Sequence, residues 1–266
     1  MLTQTRTPSF VEFLSRTAPE LLPDRRPFPA GPAGDVAPHG TTIVALTCAG
    51  GVVMAGDRRE TMGHLVSSRQ ARKVAAADAF SLIGTAGVSG ICIELVRLFQ
   101  VELEHYEKIE GAMLSLAGKA NRLATIIRGN LGAAMQGLVV VPLLGGFDLA
   151  AADPEQAARI FSFDVAGGLY EETGYDAIGS GSLFAKSALK KRYRPGGNLD
   201  EAVRLAVEAL YDAADDDTAT GGPDRIRKIY PLVMTATADG TRELSEAEAA
   251  AVGEAVVADR MDNPGG

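Results

Sequence analysis

A glycine–threonine junction, Gly40-Thr41, stands where a proline-rich segment gives way to an apolar run. If the chain were cut between these residues, Thr41 would carry both a nucleophilic hydroxyl and a free α-amine. An α-amine has a pKa of about 7.7–8.0, against about 10.4 for lysine, so it can act as a general base near neutral pH. Before the cut this nitrogen is an amide and accepts no proton. The junction therefore predicts a precursor that is activated by cleavage.

Motifs for other common chemistries are missing from the sequence. It has no Gly-x-Ser-x-Gly elbow, no phosphate-binding Gly-x-x-x-x-Gly-Lys and no His-Glu-x-x-His. The three histidines, His39, His64 and His105, are scattered, so we expect no metal and no other cofactor. Cys48 and Cys92 lack Cys-x-x-Cys spacing and have apolar neighbours, which predicts buried free thiols in a reducing compartment.

Charge and hydropathy limit the possible partners. The 266 residues include 26 Lys and Arg against 34 Asp and Glu, a net charge of −8, which argues against a protein that follows nucleic-acid phosphates. The longest apolar run, 138–147, contains Pro142 and is shorter than the roughly 20 residues that cross a bilayer. No targeting segment is recognisable. We expect a cytoplasmic protein with no nucleic-acid partner and no membrane partner.

Composition changes abruptly at residue 40. The first 40 residues hold 7 of the 13 prolines. This predicts a largely disordered segment, with one short apolar patch around Phe10, Val11, Phe13 and Leu14. Composition alone favours a flexible tail over a removable pro-segment. Residues 41–266 form the predicted folded body.

The elements of the body follow from hydrophobic periodicity and turn residues. Strands are predicted at 41–47, 52–57, 65–68, 73–75, 80–86, 138–148, 160–164, 169–172 and 229–237. Helices are predicted at 89–110, 115–135, 183–193, 199–216 and 245–260, the last opened by a Ser245/Glu248 capping box. Strands and helices do not alternate singly, which argues against a doubly wound parallel sheet. Antiparallel sheets with helices on their outer faces are the better prediction.

Several stretches in combination resemble β-type subunits of the 20S proteasome. They are "TTIVALTCAGGVVMAGDRRET", "GTAG", "GSGS" and "DTATGG", while "VELEHYEKIEG" and "EALYDAADDDTATGGPD" point to the actinobacterial members. The resemblance spans 41–266. It implies an α+β fold, the four-layer αββα sandwich of N-terminal-nucleophile hydrolases. It also implies that residues 1–40 are a pro-segment, removed by autocatalytic cleavage between Gly40 and Thr41.

The same resemblance, carried over position by position, assigns the reacting groups. Thr41 is the nucleophile, and Asp57 and Lys73 form a buried charge pair beside it. Lys73 would lower the pKa of the Thr41 hydroxyl and orient it, while Asp57 would keep Lys73 charged despite burial. Gly87 would donate its backbone N–H to the tetrahedral oxyanion.

The remaining predicted residues support the α-amine or contact the substrate. Ser180 and Asp217 would hold the α-amine and its water, with Thr220 where the family usually has serine. The pocket for the residue before the cut, expected to be roomy and fairly apolar, would be lined by Ala71, Thr85, Ser89 and Ile93.

The resemblance implies a threonine endopeptidase that degrades unfolded proteins inside a closed barrel. The implied partners are copies of this chain in heptameric rings, proteasome α-type subunits, an ATPase unfoldase ring and tagged protein substrates. One alternative is a non-catalytic ring-forming subunit, against which the intact Thr41, Asp57 and Lys73 argue. Another is a smaller bacterial threonine peptidase group that resembles this family. That group has no long leader and carries "AGDGQ" where this chain has "AGDRR".

Overall fold

A computed structural model describes residues 7–22, 40–153 and 156–264. The strands in these ranges are β1 (Thr42–Cys48), β2 (Gly51–Gly56), β3 (Glu60–Met62), β4 (Leu65–Ser68), β5 (Val74–Asp78), β6 (Ser81–Gly87), β7 (Val140–Phe147), β8 (Ala158–Phe163), β9 (Leu169–Glu172), β10 (Tyr175–Gly179), β11 (Leu232–Thr237) and β12 (Gly240–Glu243). The helices are α1 (Phe10–Thr17), α2 (Ser89–Glu110), α3 (Leu116–Gly129), α4 (Leu131–Ala134), α5 (Ser182–Arg192), α6 (Leu199–Asp216) and α7 (Glu246–Asp262).

The strands form two five-stranded antiparallel sheets and a small hairpin. The first sheet has the order β10-β1-β2-β11-β12, the second has the order β5-β6-β7-β8-β9, and β3 pairs with β4. Three apolar clusters separate four layers: one lies between the sheets, one between the first sheet and α5, α6 and α7, and one between the second sheet and α2 and α3. The protein is thus an α+β layered sandwich, as predicted.

Strand β1 illustrates why the sheets are apolar on both faces. Because successive side chains of a strand point to opposite faces, Val44 and Leu46 pack under the helices while Ile43 and Ala45 pack between the sheets. All four are at most 1% exposed. An antiparallel strand with helices on one side and a second sheet on the other therefore has no polar face.

Most of the predicted body elements are present. The prediction errs in the bounds of some elements and in missing three short strands. The predicted helix 115–135 is wrong as one element, because α3 ends at Gly129 and a separate short helix follows Asn130. Glycine next to asparagine weakens the helix there. The predicted strand 229–237 begins only at Leu232. Strands β3, β10 and β12 were not predicted; each is five residues or fewer, too short for a clear period-two pattern.

The described part of the predicted pro-segment is more structured than expected. The apolar patch forms α1, with Ser9 as its N-cap, and a 3-10 turn follows at Pro19–Leu21. Leu14 and Leu22 are buried, α1 contacts α2, and Val11 packs against the apolar cluster under α2 and α3. The disorder predicted for 1–6 and 23–39 lies outside the described residues. No helix in the described ranges is both long and apolar enough to cross a bilayer.

Candidate active site

Strand pairing brings distant parts of the chain to Thr41, at one end of the gap between the sheets. In the first sheet β1 pairs with β2 and with β10, so Asp57 and Ser180 follow strands that end beside Thr41. The Ser180 backbone N–H donates to the Thr41 carbonyl oxygen at 2.8 Å. Lys73 immediately precedes β5 of the second sheet, and its carbonyl accepts a hydrogen bond from the backbone N–H of Thr85 in β6. The site thus uses residues from both sheets.

Asp57 and Lys73 form a buried ion pair, with Nζ 2.7 Å from Oδ1. Their side chains are 0% and 5% exposed. Asp57 Oδ1 also accepts from the backbone N–H of Thr42 at 2.9 Å. Its Oδ2 accepts from the backbone N–H groups of Arg59 at 2.8 Å and Gly221 at 2.9 Å. The carboxylate is therefore held by three backbone donors as well as by lysine, which fixes its position and compensates for its burial.

The Lys73 ammonium also contacts the carbonyl at the predicted cleavage point. Its Nζ donates to the Gly40 carbonyl oxygen at 2.8 Å and to the Arg59 carbonyl. The Thr41 hydroxyl donates to the same Gly40 oxygen at 2.6 Å. Burial lowers the pKa of Lys73, and the negative charge of Asp57 opposes that shift. A cation and a hydroxyl on one carbonyl oxygen are placed to polarise the Gly40–Thr41 peptide.

Ser180, Asp217 and Thr220 form a hydrogen-bonded chain beside Thr41. The Ser180 hydroxyl donates to Asp217 Oδ2 at 2.6 Å and lies 3.2 Å from the Thr41 carbonyl oxygen. The Thr220 hydroxyl donates to the same Asp217 oxygen at 2.5 Å. It also lies 2.6 Å from the hydroxyl of Thr42. These bonds tie the loop after α6 to the start of β1.

We expect the Thr220 hydroxyl to matter more than its methyl group. Thr220→Val keeps the shape but removes a buried partner of Thr42 and Asp217, and should lower the free energy of unfolding by about 1–3 kcal/mol. Thr220→Ser keeps the hydroxyl and should cost about 1 kcal/mol or less, the value of one buried methyl. Urea unfolding of both variants measures the difference. Equal losses would contradict a structural role for the hydroxyl.

Two predicted glycines occupy positions where a side chain would not fit. Gly40 has φ +127°, and a Cβ there would lie 2.4 Å from the Thr61 hydroxyl oxygen. Gly87 has φ +129°, and a Cβ there would lie 2.1 Å from the Val139 carbonyl oxygen. Both glycines are therefore required by backbone conformation and by close approach. Gly87 borders the cavities on both sides of Thr41.

A cavity of about 430 Å³ opens beside Thr41. All four residues predicted for the substrate pocket line it: Ala71, Thr85, Ser89 and Ile93. It is less apolar than predicted, because Glu60, Arg97 and Gln100 line it too. The Glu60 carboxylate accepts a hydrogen bond from the Ser89 hydroxyl at 2.9 Å. A second cavity of about 480 Å³, lined partly by Gly40, Val139 and Ser182, borders Thr41 on another side.

The cysteines are poor candidates for the nucleophile. Cys48 and Cys92 are both free and buried, as predicted. Cys92 lines the 430 Å³ cavity, but burial raises the pKa of its thiol to about 11, which leaves it protonated near neutral pH. The described ranges also contain no group of three or more His, Cys, Asp or Glu side chains that could hold a metal ion.

Sequence reasoning missed three residues that complete the site. Thr42 donates its N–H to Asp57, and its hydroxyl accepts from the Gly181 N–H at 3.0 Å. Arg59 extends its guanidinium to the Thr218 and Thr220 carbonyls, at 3.0 and 3.1 Å. Glu60 is the third, at the cavity wall. All three lie within three positions of Thr41 or Asp57, so proximity to the predicted residues was the available signal.

Comparisons with known proteins agree with this architecture. A family model described as "Proteasome subunit" matches residues 37–229. The chain is 65% identical over 258 residues to a protein of Stackebrandtia nassauensis named "Proteasome subunit beta", covering 97% of this chain and 92% of that one. Proteins of the same name from Rhodococcus erythropolis and Saccharopolyspora erythraea are 63% and 59% identical. Those alignments cover 95% and 97% of this chain and 88% and 91% of the relatives.

Proposed function

Because the chain belongs to the proteasome subunit family, as a β subunit, we propose that it is the catalytic β subunit of a bacterial 20S proteasome core. Its activity would be that of a threonine endopeptidase that degrades unfolded proteins inside a closed barrel. The observation that carries the proposal is the convergence of Lys73 Nζ and the Thr41 hydroxyl on the Gly40 carbonyl oxygen.

Self-cleavage would use the groups already in contact. The Thr41 hydroxyl oxygen attacks the Gly40 carbonyl carbon while Lys73 stabilises the charge that develops on the carbonyl oxygen. The C–N bond then breaks, Thr41 nitrogen takes up the hydroxyl proton, and an ester joins Gly40 to the Thr41 side chain. Water hydrolyses the ester, releasing residues 1–40 with a terminal carboxylate and leaving Thr41 with a free amine.

Peptide cleavage would repeat this sequence on a substrate. The Thr41 α-amine takes the hydroxyl proton as Thr41 attacks the scissile carbonyl, and it later donates that proton to the leaving amine. Gly87 would supply its backbone N–H to the oxyanion. Ser180 and Asp217 would hold the amine and the hydrolytic water. The side chain before the cut would enter the cavity lined by Ala71, Thr85, Ser89 and Ile93.

The proposed partners follow from the names of the relatives and the resemblance. They are copies of this chain in heptameric rings, α-type subunits that cap them, an ATPase unfoldase ring and tagged protein substrates in the cytoplasm. The direct test is N-terminal sequencing and mass measurement after co-expression with an α-type subunit. A species beginning at Thr41 supports the proposal. An intact chain in assembled particles would instead favour the non-catalytic ring subunit.

The pH dependence should follow the α-amine and Lys73, not a histidine. Activity should rise with an apparent pKa of about 7–8 as the amine loses its proton. At higher pH activity should fall again as Lys73 loses its proton. Because burial lowers the pKa of Lys73, this fall should begin before pH 10.5, the ordinary lysine pKa. Neither His64 nor His105 lines a cavity beside Thr41.

A double variant, His64→Gln with His105→Gln, tests whether the α-amine or a histidine causes the rise of activity with pH. We expect an unchanged profile of peptide cleavage against pH in assembled, processed particles. Acetylation of the mature N-terminus should abolish turnover in the same assay. Loss of activity in the correctly processed double variant would contradict the α-amine mechanism.

A further inference from the structure

Residues 7–22, which we term the leader segment, lie on the outer face of the body. Val11 and Leu22 pack toward α2 and α3, against apolar side chains that include Ile91, Leu98 and Ile126. We term this face the α2/α3 groove. Only about 50 Å³ of space remains between the segment and the groove. The leader segment therefore fits a shaped surface of the body.

A buried carboxylate anchors the first turn of the leader helix. Glu102 of α2 is 1% exposed, and its Oε2 accepts from the Val11 backbone N–H at 2.8 Å. Within residues 7–22, 40–153 and 156–264 its Oε1 has no hydrogen-bond partner, and Arg122 Nη1 lies 3.6 Å from it. The first N–H groups of a helix have no partner within it and carry partial positive charge. Glu102 is placed to recognise the start of a helix.

Further contacts fix the direction of the leader helix. The His105 side chain lies one turn beyond Glu102, and its Nε2 is 2.9 Å from the Thr7 carbonyl oxygen. Its ring also contacts the rings of Phe10 and Phe13, with centroids 5.6 and 6.3 Å apart. These contacts place the N-terminal end of α1 over Glu102 and His105. A helix running the opposite way would direct carbonyl groups at the carboxylate.

We propose that the α2/α3 groove is a binding site for an amphipathic helix, and that the leader segment stays bound in it after its covalent link to the body is cut. All the contacts described above are non-covalent and involve residues 7–22, well before Gly40. Cutting the chain at residue 40 leaves every one of them intact. The leader is on this view a helical ligand with its own site, and release from the groove is a separate step from cleavage.

The test should sever the leader without relying on self-cleavage. A site-specific protease sequence placed between residues 23 and 39 of a Thr41→Ala chain allows the cut to be made at will. We expect the severed leader to co-elute with the body in gel filtration. Glu102→Ala should speed its dissociation by about tenfold or more, because Val11 loses a charge-assisted partner. Glu102→Gln, which keeps the side-chain size, should give a smaller effect in the same direction.

Glu104→Ala is the matched control. Glu104 lies two residues further along α2, where its carboxylate is 63% exposed and pairs with Lys108. It should leave dissociation of the severed leader unchanged, and thermal unfolding should show that all the variants remain folded. The proposal would be overturned if the severed leader left the folded chain that keeps Glu102 at once. Equal effects of Glu102→Ala and Glu104→Ala would overturn it as well. Release accompanied by a dimer would assign the groove to a second copy of this chain.

Discussion

Thr41→Ala should leave residues 1–40 attached in assembled particles and reduce peptidase activity by about 10³-fold or more. The substitution removes the proposed nucleophile, and no other hydroxyl donates to the Gly40 carbonyl among the described contacts. Within the part of the chain that the structure describes, the Thr41 hydroxyl makes no other hydrogen bond, so the fold should persist. Intact-mass measurement and cleavage of a fluorogenic peptide provide the two readouts.

Two variants control this experiment. Thr41→Ser keeps a hydroxyl and an α-amine at the same position, so it should still process and retain measurable activity. Thr47→Ala changes another threonine of β1, whose hydroxyl lies 2.9 Å from that of Tyr193, away from the site. It should process normally. Normal maturation of Thr41→Ala, with no other active β subunit present, would refute the proposed self-cleavage.

Lys73→Ala should abolish peptide cleavage and slow the removal of residues 1–40, while the chain remains folded. The ammonium contacts Asp57 and the Gly40 carbonyl, so both the charge pair and the polarised peptide are lost. Removing one partner of a buried pair typically costs about 3–5 kcal/mol. Asp57 keeps three backbone donors, so we expect the low end of that range. The readouts are leader retention, peptide hydrolysis and urea unfolding.

Lys119→Ala is a matched control for the loss of a buried lysine. Lys119 Nζ lies 2.7 Å from Asp78 Oδ2, and its side chain is 4% exposed. This variant should lose comparable stability yet retain processing and peptidase activity. Lys73→Arg should not restore activity, because a planar guanidinium cannot occupy the small space where three oxygens converge on Nζ. If Lys73→Ala cleaved peptides at the wild-type rate, the catalytic role assigned to Lys73 would be wrong.

The cavity beside Thr41 changes the expected substrate preference. The sequence predicted a fairly apolar pocket from four residues, and those four do share one cavity. The structure adds the Glu60 carboxylate to the wall, held by the Ser89 hydroxyl. Arg97 and Gln100 line the same wall, so it can donate as well as accept hydrogen bonds, and we expect polar side chains to be cleaved after as well as apolar ones.

The sequence determined the local features of this protein. The continuous apolar runs of β1 and β2, the capping box before α7 and the long helices α2 and α6 can all be recognised from residues a few positions apart. The short strands β3, β10 and β12 and the break at Asn130 escaped prediction, because short segments carry too few residues to establish a period. The proposed site residues rested on a combination of stretches resembling one family.

Tertiary structure alone decided how those residues meet. Asp57 and Lys73 are 16 positions apart and adjoin strands of different sheets, so the spacing does not give their 2.7 Å contact. The same holds for Thr42 with Thr220, 178 positions apart, and for Val11 with Glu102, 91 positions apart. Local propensity specifies which segments become strands or helices. Which polar groups are buried together depends on how the sheets stack and on which helix covers each outer face, and that is settled only when the whole chain packs.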